Sequence, residues 1–371
     1  MARKVPAFAF DIDGVLVRGK DPLPGAAQTI KKLQSSDTPF MFLTNGGGLT
    51  EEKHTDKLAG RLGVSLDHQQ FVQSHTPFHD LVIRYADKPV LVLGGTGDQI
   101  RSVAHAYGFK KVITDADVFV ENPSVHPFPE LTRDMLEESG RPWNKIGNME
   151  GPINQTSIAA ILVWSSPRDW CLDSQLVLDL LLSKDGVLGT RSPKNGNPDL
   201  DNHGYLQDNQ PTLHFCNPDL EWATQFAQPR LAQGGFKASL LGIWAEKTGG
   251  ANLRYTICGK PTALTYTFGE ETLKRWATRE RDTKSTTDKN SPKDKAEIGT
   301  VYMIGDNPES DIQGANNFVS KHGYVWKSIL VESGVYVKGT MPKHTPTHTA
   351  RNVEDAVAWA LQDFEESEIS T

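Results

Sequence analysis

Only three cysteines occur in the 371 residues, Cys171, Cys216 and Cys258, and no two of them form a CxxC pair. Neither a structural zinc site nor a disulfide framework is therefore expected, and the pattern suits a reducing compartment. Long apolar runs are missing too: the strongest, Ser157 to Trp164, is far too short to cross a bilayer. Positive charge is neither in excess nor clustered. With 39 Lys and Arg against 46 Asp and Glu, the formal charge is −7, and no basic stripe offers itself to nucleic-acid phosphates. A first strand begins within a few residues of Met1, so no signal or transit segment is expected in the chain as given. The glycine turn Gly94-Gly95-Thr96-Gly97 is not GxGxxG, and no ribose-binding acid follows it at the usual spacing. A dinucleotide cofactor is accordingly not expected. His75, His79, His105, His126, His203, His214, His344 and His348 show no metal-ligand spacing and read as surface or core residues.

What remains is an ordinary globular composition, 37% apolar and 23% charged, in a chain long enough for two domains. Its organising stretch is Phe8-Ala-Phe-Asp11-Ile-Asp13-Gly14-Val-Leu-Val17, an apolar strand that ends in two nearby aspartates and a glycine. The side-chain period of a strand is two, so Asp11 and Asp13 are expected on one face at its end. Two close carboxylates repel unless a cation or hydrogen-bond donors compensate, and a hard, oxygen-seeking cation such as Mg²⁺ is the simplest compensation. Gly14 permits a tight turn over the site. Alone, the stretch reads equally well as a solvated acidic turn.

The spacing predicts a helix over Ala26 to Leu33, a strand at Phe40 to Leu43 and a helix over Glu51 to Leu62. Strand alternates with helix, the signature of a parallel α/β sheet. In such sheets ligands sit at the carboxyl ends of strands. A second α/β region follows, with strands at Val90 to Leu93, Ile158 to Trp164 and Thr212 to Phe215, the last running into Asn217-Pro218-Asp219. Trp164, Trp170, Trp222 and Trp244 in this stretch read as its core. Tyr255 to Cys258 is a strand ending in Gly259-Lys260-Pro261, and Thr300 to Ile304 is one ending in Gly305-Asp306-Asn307-Pro308-Glu309-Ser310-Asp311. Residues 279–297 are Lys, Asp, Thr and Ser with almost nothing apolar, and read as a mobile charged loop.

Four strand ends thus carry polar groups suited to phosphoryl transfer. Asp11 would attack phosphorus and form an aspartyl-phosphate. Asp13 would protonate the leaving alcohol and then deprotonate the attacking water. Thr44, Asn45 and Gly46 would bind the phosphoryl oxygens, and Lys260 would set a fixed positive charge beside them. Asp306 and Asp311 would complete a Mg²⁺ site with the Asp11 carboxylate and the Asp13 carbonyl. Each motif alone is weak; four in this order, each after an apolar strand, are not easily a coincidence.

These four motifs resemble those of the haloacid dehalogenase-like (HAD) hydrolase superfamily. The long interval between the second and third is similar to subclass IIA, whose members carry an inserted α/β cap there, and Asn217-Pro218-Asp219 resembles the Asn-Pro-Asp segment of those caps. More narrowly, Leu43 to Gly48, Gly259 to Thr262 and Gly305 to Ile312 resemble the cat eye syndrome critical region protein family of eukaryotes. The resemblance implies an α/β fold: a Rossmann-like core from residues 1–87 and 254–371, with an α/β cap from 88–253 covering the site and carrying Asn217 and Asp219 as substrate candidates. It implies a Mg²⁺-dependent phosphatase acting on a small phosphorylated metabolite, a homodimer through the cap, and association with mitochondria, with the cytoplasm as the alternative. Some fungal relatives of this branch carry a phosphatidyl synthase-like label, which implies a role in glycerophospholipid synthesis as an alternative. A weakly catalytic binding protein on the same fold is a further alternative, against which the retention of Asp11, Asp13, Lys260 and Asp306 argues. Gly46 stands where many subclass IIA phosphatases have a second asparagine.

Overall fold

The computed structural model describes residues 4–128, 131–147, 149, 151–222, 226, 228–278 and 297–369. The 279–297 segment, expected to be a mobile loop, lies outside the described residues apart from Glu297, which opens a strand. The chain divides into two compact units, one of residues 1–46, 51–76 and 259–371, the other of 47–50 and 77–258.

The first unit is built on a six-stranded parallel sheet in the order His348–Ala350, Val325–Val331, Glu297–Gly305, Lys4–Phe10, Phe40–Leu43, Phe71–Val72. Its central strands are apolar on both faces because helices cover both. The period of two sorts their side chains by size. Phe8, Phe10, Phe40, Phe42, Phe71 and Tyr302 share one cluster, whereas Ala7, Ala9, Met41, Leu43 and Met303 share another. On the aromatic side Phe8 stacks on Tyr302 at 5.8 Å, and Phe10 meets Phe40 edge-on at 6.3 Å. Helix Ala26–Ser35 adds Ala26, Ile30 and Leu33 to this face, and helix Val353–Ile369 adds Val353, Ala356, Val357 and Ala360. The first strand lies between Phe40–Leu43 and Glu297–Gly305, so the winding reverses at its carboxyl end. That is where open α/β sheets bind ligands, and it is where Asp11 lies.

The second unit has a five-stranded parallel sheet in the order Thr256–Ile257, Thr212–Phe215, Ala160–Val163, Pro89–Leu93, Lys111–Ile113. The units separate at Pro77 and Gly259 rather than at Lys88 and Arg254. Packing explains the difference: Phe78 and Tyr85 join Val90, Val92 and Trp164 in one core, and Thr256–Ile257 pairs with Thr212–Phe215. Trp164 and Trp244 are buried as expected, but Trp222 is 58% exposed, on a two-residue strand paired with Arg230–Leu231. Strand Lys111–Ile113 and helices His79–Tyr85, Asp115–Glu121 and Arg133–Ser139 were not expected from the sequence. Among the described residues no helix is long and apolar enough to cross a membrane.

His214 in this sheet bonds Thr256 Oγ1 through Nδ1 at 2.5 Å and Thr212 Oγ1 through Nε2 at 2.8 Å, beside the rings of Phe78 and Tyr85. Burial, aided by the Arg84 charge, pushes its imidazole down from 6.5 to about 4. The unfolded chain therefore takes the proton first, so this stabilisation is complete above pH 6.5 and is lost as pH falls towards 4. Between pH 7.5 and 4.5 the loss should be about 2–3 kcal/mol. Urea unfolding of His214→Gln at both pH values should show that much less acid destabilisation than the parent protein. An equal slope in the two would overturn the assignment.

Candidate active site

The first strand delivers Asp11, whose N–H continues the ladder by donating to Ile304 O at 2.9 Å. Gly14, at φ 81°, closes the turn after it, and its N–H donates to Val17 O at 2.8 Å. A side chain at Gly14 would run into the Asp306 carboxylate, so close approach and positive φ both require glycine there. Lys260, which follows the second unit's Thr256–Ile257 strand, is 1% exposed. Its Nζ lies 2.8 Å from Asp11 Oδ1 and 2.7 Å from Asp311 Oδ1. Asp306, Asp311 and Asp11 bring carboxylate oxygens within 4.8 Å of one another. Asp311 is completely buried, and its Oδ2 accepts from Asn307 N at 3.0 Å.

Thr44 is buried at the end of Phe40–Leu43, and its Oγ1 accepts from Gly46 N at 3.0 Å, which leaves the hydroxyl proton to be donated. Asn45 grips the Lys260 main chain with both ends of its amide: Nδ2 donates to Lys260 O at 2.9 Å and Oδ1 accepts from Lys260 N at 2.7 Å. The side-chain amide of Asn45, a residue expected near the phosphoryl oxygens, thus holds the lysine main chain. Asn217 and Asp219 belong to the second unit, beyond the carboxyl end of Thr212–Phe215, where Asn217 Oδ1 accepts from Asp219 N at 2.8 Å.

Burial alone would push the Lys260 ammonium down, but Asp11 and Asp311 more than reverse this and hold it above the usual lysine range. Burial pushes Asp311 up to about 7, with the Lys260 charge opposing and Asp11 adding to the rise. Asp306 is raised well above the ordinary carboxyl range by burial, then by Asp11 and Asp311, against a hydrogen bond from Val335 N. Three clustered carboxylates face one ammonium, so the site is short of positive charge. An all-oxygen donor set with a surplus of negative charge fits a hard divalent cation. Asp13 is exposed as a residue, yet its carboxyl is crowded by the surrounding chain, which with Asp11 raises its pKa; Arg61, Lys260 and Lys57 oppose the rise. A carboxyl shifted in that direction keeps a proton to higher pH, as a general acid must.

Residues 8–110 match a family model described as haloacid dehalogenase-like hydrolase, and residues 257–356 one described as HAD-hydrolase-like. The chain is 35% identical over 370 residues to a mitochondrial hydrolase of Saccharomyces cerevisiae, covering 96% of both. It belongs to the haloacid dehalogenase-like hydrolases. A fission yeast relative, the cardiolipin synthase (CMP-forming)/mitochondrial hydrolase fusion protein of Schizosaccharomyces pombe, is 39% identical over 95% of this chain, which spans about half of it (53%). Among solved structures, 4-nitrophenylphosphatase from Thermotoga maritima aligns with TM-score 0.57 at 18% identity, covering 97% of this chain and 98% of its own. Glycerol phosphate phosphatase from Mycobacterium tuberculosis in complex with calcium aligns with TM-score 0.54 at 15% identity, covering 94% and 74%. At such identities these likenesses concern the haloacid dehalogenase-like fold.

Three supports of this site escaped the sequence reading. Val335 N donates to Asp306 Oδ2 at 2.7 Å, and a side chain at Gly334 would collide with the same carboxylate. Ser333 Oγ donates to Gly14 O at 2.7 Å, which ties the loop after Val325–Val331 to the Asp13–Gly14 turn. Tyr266 OH donates to Asp311 O at 2.9 Å from helix Ala263–Thr278. Only the glycine of Ser333-Gly334-Val335 carried a signal, a possible close approach after a strand.

Lys260→Gln removes the one ammonium between Asp11 and Asp311. In metal-free protein at pH 8 this should cost about 3 kcal/mol of stability, because two buried charges lose their partner. The folded-state pKa of Asp311 is raised, so the folded form holds that proton more tightly, and the penalty should shrink as pH falls through about 7. Urea unfolding with chelator at pH 8 and pH 5.5 reads both effects. A variant as stable as its parent at pH 8 would contradict the buried bridge.

Proposed function

We propose that this chain is a Mg²⁺-dependent phosphatase that hydrolyses a small phosphate monoester through an aspartyl-phosphate on Asp11. The observation that supports it most is the convergence of Asp11, Lys260, Asp306 and Asp311 at the reversal point of the sheet, with Thr44 directly after the neighbouring strand. The phosphatase names of several relatives agree with it, among them 4-nitrophenylphosphatase of Schizosaccharomyces pombe, 31% identical over 110 residues.

In this reading an Asp11 carboxylate oxygen forms a bond to phosphorus as the bond from phosphorus to the ester oxygen breaks. Asp13 gives its proton to that oxygen, and the alcohol leaves. Asp13, now ionised, takes a proton from water as the water oxygen attacks phosphorus, and the Asp11–phosphorus bond breaks to release inorganic phosphate. Lys260 holds Asp11 in place through their 2.8 Å contact, and its charge offsets that of the transferring group. Thr44 donates its hydroxyl proton to a phosphoryl oxygen. Asp11, Asp306 and Asp311, with the Asp13 carbonyl, would hold Mg²⁺, which supplies further neutralisation of the phosphoryl charge.

The fission yeast fusion supports a second, compatible reading, in which the monoester belongs to glycerophospholipid synthesis. The names of both yeast relatives support a mitochondrial setting. Incubation with CDP-diacylglycerol and glycerol phosphate separates hydrolysis, which releases inorganic phosphate, from transfer, which releases CMP.

Asp11→Asn should lower 4-nitrophenyl phosphate turnover at least about a thousandfold, since the nucleophile is lost. Asp13→Asn should lower it about 10²–10⁴-fold. Chelation should silence the parent protein and added Mg²⁺ restore it. Undiminished turnover by Asp11→Asn would sink the proposal.

A further inference from the structure

Helix Glu51–Leu62 of the first unit turns His54, Lys57, Leu58 and Arg61 towards a recess whose other walls include Ile12, Asp13, Thr44, Gly46 and Phe71. Positions three and four apart share a helix face, so one side of the helix looks onto the general acid and the phosphoryl-binding threonine. His54 brings no charge. Its Nδ1 bonds Gln73 Oε1 at 2.7 Å, its ring stacks on Phe71 at 5.4 Å, and burial pushes its pKa down. Lys57 and Arg61 are the cations of the recess. Lys57 is exposed and Arg61 half-buried, and among the described residues neither makes a hydrogen bond or a salt bridge.

Two unneutralised cations beside a phosphoryl-transfer centre are not needed by the chemistry described above, in which Lys260 already supplies the fixed charge. Their place fits a different task. Asp13 protonates the oxygen of the departing alcohol, so that alcohol lies against Asp13, and the recess shared by Asp13, Lys57 and Arg61 receives what is attached to it. We infer that Lys57 and Arg61 form a subsite for a second oxyanion, so that the preferred substrate is a phosphate monoester whose alcohol carries a further phosphate, phosphodiester or carboxylate. This rests on the phosphatase reading and narrows its substrate class. An ammonium and a guanidinium one helical turn apart suit an oxyanion with several acceptor oxygens.

The test is a ratio, which cancels any general effect of a substitution on chemistry. Wild-type protein with Mg²⁺ is assayed on 3-phosphoglycerate, which has a carboxylate on its alcohol, and on glycerol 3-phosphate, which is close in size and lacks it. The wild-type preference in kcat/KM should be about tenfold or more, as expected for two partly exposed charge contacts. It should fall towards unity in Lys57→Gln/Arg61→Gln, weaken as salt is raised, and be largely kept in Lys57→Arg. Equal kcat/KM for the two esters in wild type, or an unchanged preference in the double variant, overturns the inference and leaves the phosphatase reading standing. Should wild type hydrolyse neither ester, that counts against the phosphatase reading. Calorimetric titration of the two compounds then decides the subsite: tighter binding of 3-phosphoglycerate, lost in the double variant, supports it, and equal binding overturns it.

Discussion

The site depends on one buried ammonium. Lys260 is enclosed between Asp11 and Asp311, 2.8 Å from the one and 2.7 Å from the other. Burying an ion is unfavourable unless geometry and additional bonds compensate, and the surroundings of Lys260 supply both. Its main chain is gripped at N–H and C=O by Asn45, so the two loops that carry Thr44 and the lysine are fastened by one side-chain amide. The ion pair thereby joins Asp11, Lys260 and Asp311, which three separate stretches of the first unit supply.

A second layer holds the acids in place, and it is made largely of main chain. Asp306 is contacted by Val335 N and closely covered at Gly14 and Gly334, where no side chain fits. Asp311 accepts from Asn307 N, and its carbonyl is held by Tyr266. A carboxylate so confined cannot swing away from its neighbours. Repulsion among three acids therefore cannot be relieved by movement, only by a proton or a cation. That constraint is what makes Asp306 and Asp311 basic enough to compete for one or the other.

How much of this was legible follows from what carries each signal. The strand-end motifs were readable because an apolar run of period two that stops at Asp, Thr-Asn or Gly-Asp leaves its polar residues at the sheet's carboxyl edge. The Phe–Ala alternation of Phe8 to Phe10 shows the two sheet faces directly. Short or covered elements were not readable. Lys111–Ile113 and His348–Ala350 are three residues each, too brief for periodicity to register. Val325–Val331 is one strand, although Lys327 and Ser328 break its apolar run into what looks like two pieces. The Val335 contact was illegible for a deeper reason: a donor on the main chain has no residue type. The grip of Asn45 on the Lys260 main chain was equally illegible, because an amide beside a phosphate loop and an amide gripping a lysine look identical in sequence.

The charge arrangement also explains why two cations on helix Glu51–Leu62 stand apart from the carboxylate cluster. Lys260 and a divalent cation can neutralise Asp11, Asp306 and Asp311 between them, three negative charges against three positive. Were Lys57 or Arg61 to join that cluster it would carry an excess of positive charge, and Asp11 would be a poorer nucleophile. Held instead beside Asp13, they oppose the rise in its pKa that burial and Asp11 produce. Asp13, the general acid of the proposed mechanism, is thus held between two influences of opposite sign.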